Sequence, residues 1–239
     1  MKKALHSIYR SRTHILITIG IIVIPFLFLL LFSQYANIGT SKLFGDLFIS
    51  FLRLIAAYGI AAILAWICAI SFYRGRRAII ALPIFDILQS FPTFAALPLA
   101  VYFWGPSSTT IIALLVLTII WPILFSLISS LKLIRNDWEE AADIAGLRGF
   151  NRVRYFLWPI SLPGLITGSV IGIGEGWEAI VATEIIIASQ TGLGNFFSLY
   201  SHHTTITTLG IIGLLLFIFV VNKLIWLPLL EWSHHRMED

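Results

Sequence analysis

Charge is scarce in this sequence. Of 239 residues only 12% are Asp, Glu, Lys or Arg, against 58% hydrophobic. A soluble chain with so few charges could not cover its own surface, which excludes a free globular domain and points to an integral membrane protein. Cysteine is nearly absent. Cys68 stands alone in an apolar stretch, which excludes an internal disulfide framework and any paired-cysteine metal site. The sequence shows no Walker loop, no Ser–His–Asp order, no internal repeat and no soluble domain, so nothing in it points to ATP hydrolysis by this chain. The net charge of +4 comes from bases scattered over several segments, which is not a nucleic-acid footprint.

What is there is a succession of apolar runs. Lys2, Lys3, Arg10 and Arg12 precede a run from Ile15 to Phe32. It is longer than a signal-peptide core and no small-x-small cleavage site follows, so it reads as a retained first span kinked at Pro25. The second span is Leu43–Phe72, the third Ala78–Trp104 and the fourth Thr109–Leu131. The fifth is Leu162–Ala188 and the sixth Thr208–Leu230; all five after the first exceed the roughly 20 residues a bilayer requires. The third span is interrupted by Pro83, Pro92 and Pro98, with Asp86, Gln89 and Ser90 between them. Each proline removes a ladder hydrogen bond, and lipid tolerates that only where neighbours or a cavity satisfy the freed carbonyl.

The positive-inside rule orients these spans. Arg74, Arg76, Arg77, Lys132, Arg135, Arg148, Arg152, Arg154 and Arg236 fall on the same side as the four N-terminal bases, and only Lys42 falls on the other. The expected fold is therefore an all-α integral membrane protein with six transmembrane helices and both termini cytoplasmic. Its expected parts are a basic segment and first helix over 1–42, a core over 43–231 and a cytoplasmic tail over 232–239.

Between the fourth and fifth spans lies a polar island, Asn136 to Pro163, with four of the twelve acidic residues. Asp137 with Glu140, or Asn136 with Glu139, fits a capping box, and Gly146 is a natural stop because it tolerates positive φ. Trp138, Ala141, Ala142 and Ala145 share one face, a large aromatic followed by methyls. Such a short, smooth helix suits insertion into a groove on a partner; an ordinary solvated loop helix is the plainer alternative.

Ionisable groups inside spans cost about 2.5–3.5 kcal/mol each at the bilayer centre, so Arg53, Asp86, Glu175, Glu178 and Glu184 need partners or water. With Gln89, they are the candidates for a translocation pathway. Alternatively they tie helices together, for instance an acid with Arg53. Glu175 and Glu178 share a face, with Trp177 pointing elsewhere. Gly168, Gly172, Gly174 and Gly176 read as a packing face. His202-His203 and His234-His235 read as loop or interface residues, because adjacent histidines point apart on a helix.

The island resembles the EAA loop of ATP-binding cassette importer permeases. The resemblance rests on Glu140-Ala141-Ala142, Gly146, Pro159, Leu162-Pro163 and Gly168, with Phe156 and Trp158 where the family has aliphatics. Leu82-Pro83, Gln89-Ser90-Phe91-Pro92, Phe103-Trp104-Gly105, Gly176-Trp177 and Thr191-Gly192-Leu193-Gly194 resemble the nitrate/sulfonate/taurine/bicarbonate branch. The resemblance implies an importer-permease fold in the inner membrane and a non-catalytic subunit with no cofactor of its own, ATP and magnesium being on a partner ATPase. It also implies a coupling loop over 132–161, with Trp138, Glu140, Ala141, Ala142, Gly146 and Pro159 carrying ATPase coupling. The further implied partners are a second permease subunit, in a homodimer, an extracytoplasmic substrate-binding protein and membrane lipid. The implied cargo is a small anion, moved inward by alternating access, although two carboxylates in a conduit would repel an anion unless protonated or paired. A membrane channel, or a membrane-embedded enzyme using the acidic fifth span, is the alternative.

Overall fold

The computed structural model describes residues 2–230 and 232, with the side chains of residues 2–18 left out of the description. Arg236, His234 and His235 lie outside the described residues. Among the described residues there is helix and turn but no strand. The helices are α1 (Lys2–Tyr35), α2 (Thr40–Phe72), α3 (Gly75–Gln89), α4 (Leu97–Trp104) and α5 (Ser108–Lys132). They continue as α6 (Asn136–Ile144), α7 (Gly149–Arg152), α8 (Trp158–Ile186), α9 (Leu193–Leu199) and α10 (Thr204–Val221).

Among the described residues, four stretches are long and apolar enough to cross a bilayer: Thr40–Phe72, Ser108–Lys132, Gly149–Ile186 and Thr204–Leu230. The third expected span is broken outright. α3 and the Thr93–Trp104 segment meet at 79°, and count as a fifth crossing only if taken together. Pro92 begins the bend, because it cannot donate the ladder bond that would carry α3 onward. Ile19–Tyr35 of α1 is a shorter apolar helix.

The fifth stretch corrects the sequence reading. It begins at Gly149, not Leu162, because the return of the loop is itself helical. A wider turn over Val153–Leu157 precedes Pro159, which sits in the first turn of α8. Its missing N–H leaves a carbonyl one turn back without its usual partner, and helices widen at such positions. The stretch expected as a connector, 196–203, begins inside α9.

The core is a three-helix contact between α2, α5 and α8, and it is built from size contrast. Ala57, Ala61, Ala65 and Ala69 of α2 recur every fourth residue and are fully buried. Gly164, Gly168, Gly172 and Gly176 repeat the same spacing on α8. Residues four apart share a helix face, so both helices present shallow stripes to the Ile and Leu side chains of α5. A Cβ on Gly168 would stand 2.6 Å from the Ile123 Cα, and one on Gly164 2.6 Å from the Ser126 carbonyl oxygen. Gly174 departs from the sequence reading: it faces open space and takes no part in this packing. Gly168→Leu is therefore expected to destabilise the protein by about 1–3 kcal/mol or more through overpacking. Gly174→Leu is expected to stay within about 0.5 kcal/mol. Thermal unfolding of both variants in detergent checks the contrast.

Candidate functional site

The expected functional residues fall at three places. The first is the end of the bundle that carries α6. That helix ends at Gly146, whose φ of +71° lets the chain reverse. The Leu147 N–H donates to the Ala142 carbonyl and the Gly146 N–H to the Asp143 carbonyl, both at 3.0 Å, closing the last turn. The capping box, however, is absent. Arg135 holds the N-cap position and no side chain caps the helix. Three of the four side chains expected to do so, Asn136, Asp137 and Glu139, are engaged by arginines instead. Arg74 donates to Asn136 Oδ1 at 2.9 Å and pairs with Glu139, and Arg135 holds Asp137 at 2.7 Å. Arg152 pairs with Asp143 and approaches Glu139 at 3.9 Å. Arg74 lies between α2 and α3, so α6 is clasped both to that junction and to the start of the long fifth stretch. Just past α2, burial first and the Glu139 carboxylate second raise the Tyr73 phenol above its ordinary pKa.

Ala142 is buried beneath α6, while Trp138, Glu140, Ala141 and Ala145 face outward. Ile144 is 88% exposed, Leu133 79%, Phe150 73% and Trp138 48%, all on the polar end of the molecule. Glu140 makes no ion pair among the described residues. Phe156 is half-buried and Trp158 is exposed, and each makes an aromatic contact within the chain. The Arg152 guanidinium lies 5.7 Å from the Phe156 ring centre, and Trp158 packs edge-on to Trp66 at 5.2 Å.

The second place is at the opposite end. Glu184 is fully buried, and Arg53 Nη1 donates to its Oε1 at 2.6 Å. Ser50 donates to the same carboxylate at 2.9 Å, and the Gly194 N–H donates to Oε2 at 2.9 Å. The Leu193 N–H reaches Ser50 Oγ at 2.8 Å, and the Gly192 N–H reaches Asp46 Oδ1 at 2.9 Å. Arg53 also donates to Ser108 and Thr191. Gly192 turns at φ +103°, where a Cβ would strike the Glu184 carboxylate at 2.5 Å. Arg53 and Glu184, expected among the pathway residues, are thus joined in a lock that holds the turn before α9. Sequence reading missed Asp46 and Ser50, although Asp46, Ser50 and Arg53 stand at i, i+4, i+7 on one face of an apolar helix.

The third place is a groove of about 480 Å³ where α3, α5 and α8 converge. Gln89, Thr93, Thr118, Ser126 and Glu175 line it with Trp121 and Phe125. Glu178 is exposed one turn beyond Glu175, and Asp86 is exposed beside Gln89. Trp177 does point elsewhere, packed between Phe51 at 6.2 Å and Phe217 at 5.7 Å. The hydroxyl and aromatic lining from α5 had no signal in the sequence beyond its apolar run. No group of three or more metal-ligating side chains occurs among the described residues.

These features can be set beside known proteins. Residues 59–225 match the family described as the binding-protein-dependent transport system inner membrane component. The nitrate import permease protein NrtB of Synechocystis sp. is 30% identical over 201 residues, covering 79% of this chain and 71% of its own. The bicarbonate transport system permease protein CmpB of Synechococcus elongatus is 27% identical over 208 residues, 83% of this chain and 75% of its own. The taurine transport system permease protein TauC of Escherichia coli is 34% identical over 112 residues, 47% and 40% of the two chains. The chain belongs to the binding-protein-dependent transport system inner membrane components: it is a multi-pass inner-membrane permease of the ATP-binding cassette importers, a transport subunit and not an enzyme.

Proposed function

We propose that this chain forms half of a solute pathway that opens alternately to the two sides of the membrane, driven by a separate ATPase. The observation that carries this reading is the α6 end of the molecule. Exposed Trp138 and Ile144 stand on a short helix outside the apolar bundle, with exposed Phe150 just past it, and exposed apolar groups in a polar region mark a contact surface. The clasp through Arg74 and Arg152 makes that surface part of the bundle's mechanics and not a loose loop. On this reading α1 supplies a sixth crossing and both termini are cytoplasmic, since Arg74, Arg76, Arg77, Lys132, Arg135, Arg148, Arg152 and Arg154 gather at the α6 end.

The ATPase receives α6, with Trp138 and Ala141 forming the seating face, Ala142 holding the helix against the bundle, Glu140 offering a charge, and Gly146 and Pro159 shaping the return. ATP and magnesium reside on that partner. A second copy of this chain completes the pathway, and an extracytoplasmic binding protein delivers the solute. The relatives' names concern nitrate, bicarbonate and taurine, and a small anion is the cargo those names suggest. Expressing the chain with its ATPase and isolating the complex tests the reading; a permease that never retains an ATPase overturns it.

The clasp makes a separate prediction. Arg74→Gln is expected to leave the ATPase bound yet lower transport roughly 2- to 30-fold, the range given by 0.5–2 kcal/mol of coupling energy. Exchanging the charges, with Arg74→Glu and Glu139→Arg together, is expected to recover part of the loss. Uptake per ATP hydrolysed in proteoliposomes is the measurement.

A further inference from the structure

We infer that the groove between α3, α5 and α8 receives a small organic cation, such as a protonated amine or a quaternary ammonium compound. The inference rests on the reading of this chain as a solute pathway, and it replaces the small anion that the relatives' names suggest with a cation. It follows from which atoms the groove leaves free. The Asp86 carboxylate can only accept, so the Gln89 amide nitrogen must face it, at 2.6 Å, and the Gln89 carbonyl oxygen is left for the groove. Thr118 donates its hydroxyl proton to the Leu114 carbonyl at 3.1 Å, which leaves only lone pairs on that oxygen. Glu175 adds a carboxylate with no ion pair among the described residues. The polar lining therefore holds three groups that can only accept, beside the Thr93 and Ser126 hydroxyls, which can donate or accept.

The rest of the lining agrees. Trp121 and Phe125 lie one turn apart on α5 and both border the groove. Aromatic faces beside a carboxylate attract a cation through the ring quadrupole as well as through charge. No Lys, Arg or His lines the groove, and Arg53 is committed to Glu184 in the lock. An oxyanion would meet the Glu175 carboxylate with no base to offset it, and only the hydroxyls of Thr93 and Ser126 and the Trp121 indole N–H to donate to it.

The test uses the purified permease–ATPase complex in nanodiscs of phosphatidylethanolamine and phosphatidylglycerol, treated with dicyclohexylcarbodiimide. Peptide mass spectrometry reads the adduct at Glu175, and Glu175→Gln, which removes the reactive carboxyl, identifies the signal. Choline chloride is expected to slow labelling about fivefold, the scale of a cation–π contact, whereas sodium nitrate and sodium bicarbonate leave it unchanged. Protection by nitrate or bicarbonate equal to that by choline, or no protection by any of the three, overturns the inference. Choline protection in a permease that retains no ATPase would overturn the coupling reading and leave this one standing. Anion protection in an intact, coupled complex would do the reverse.

Discussion

Gly146→Val is expected to abolish ATP-driven uptake while the protein still inserts and accumulates in the membrane. Gly146 adopts φ +71°, a region a β-branched residue enters only with strain. The cost of a left-handed residue, about 1–2 kcal/mol, is small beside the burial that holds α2, α5 and α8 together, so folding survives. What changes is the path of the chain. Valine drives the backbone toward right-handed helix, and the two hydrogen bonds from Gly146 and Leu147 that end α6 can no longer both form. The helix then continues or turns elsewhere, and Trp138, Ala141 and Glu140 move relative to the bundle. Gly146→Asn provides the control, because asparagine tolerates this conformation, and it is expected to keep most of the transport. Three readouts separate the cases: membrane abundance, ATPase retention and uptake in proteoliposomes. Normal uptake by the valine variant would remove α6 from the coupling mechanism.

The island was legible because its signals are local. A glycine after a run of alanines marks a helix stop wherever it occurs, and the left-handed Gly146 follows from that pattern alone. The capping box failed for the opposite reason. Its spacing was correct, but Arg74 lies 62 residues from Asn136 and no local rule anticipates that it captures the side chain first. The broken third span shows the same division. Three prolines foretold a break, whereas its angle depends on how the segment packs against α5. Glycine periodicity misled at one position: Gly172, Gly174 and Gly176 alternate, but a helix sets residues two apart on different sides, so only the outer two meet a neighbour. The alanine stripe of α2 passed unnoticed because alanine offers no contrast within an apolar run. The Arg53–Glu184 pair stood among the alternatives as an acid tied to Arg53. Several acids were available, and a separation of 131 residues gave no means of choosing.

That pair carries the largest expected effect on stability. Glu184→Ala strips the partner from Arg53, the acceptor from Ser50 and the acceptor from the Gly194 N–H, all in a site with almost no water access. Removing one member of a buried pair typically costs about 3–5 kcal/mol, since the remaining charge is left unsatisfied. For a chain of this size that corresponds to a fall of roughly 6–20 °C in the unfolding midpoint. Thermal unfolding in detergent measures it directly. The double variant Arg53→Met with Glu184→Met separates two accounts. If the lock were only an ion pair, replacing both charges with apolar groups would restore stability, as it does for many buried pairs. Here the carboxylate also anchors the turn before α9, so the double variant is expected to recover only in part, with the Gly194 and Ser50 groups still unsatisfied. A pathway role for Glu184 makes the contrary forecast: an unfolding midpoint within about 1 °C of the parent protein, consistent with no lost buried partner, together with loss of transport. Measured on the same preparation, midpoint and uptake therefore distinguish a structural tie from a wall of the conduit.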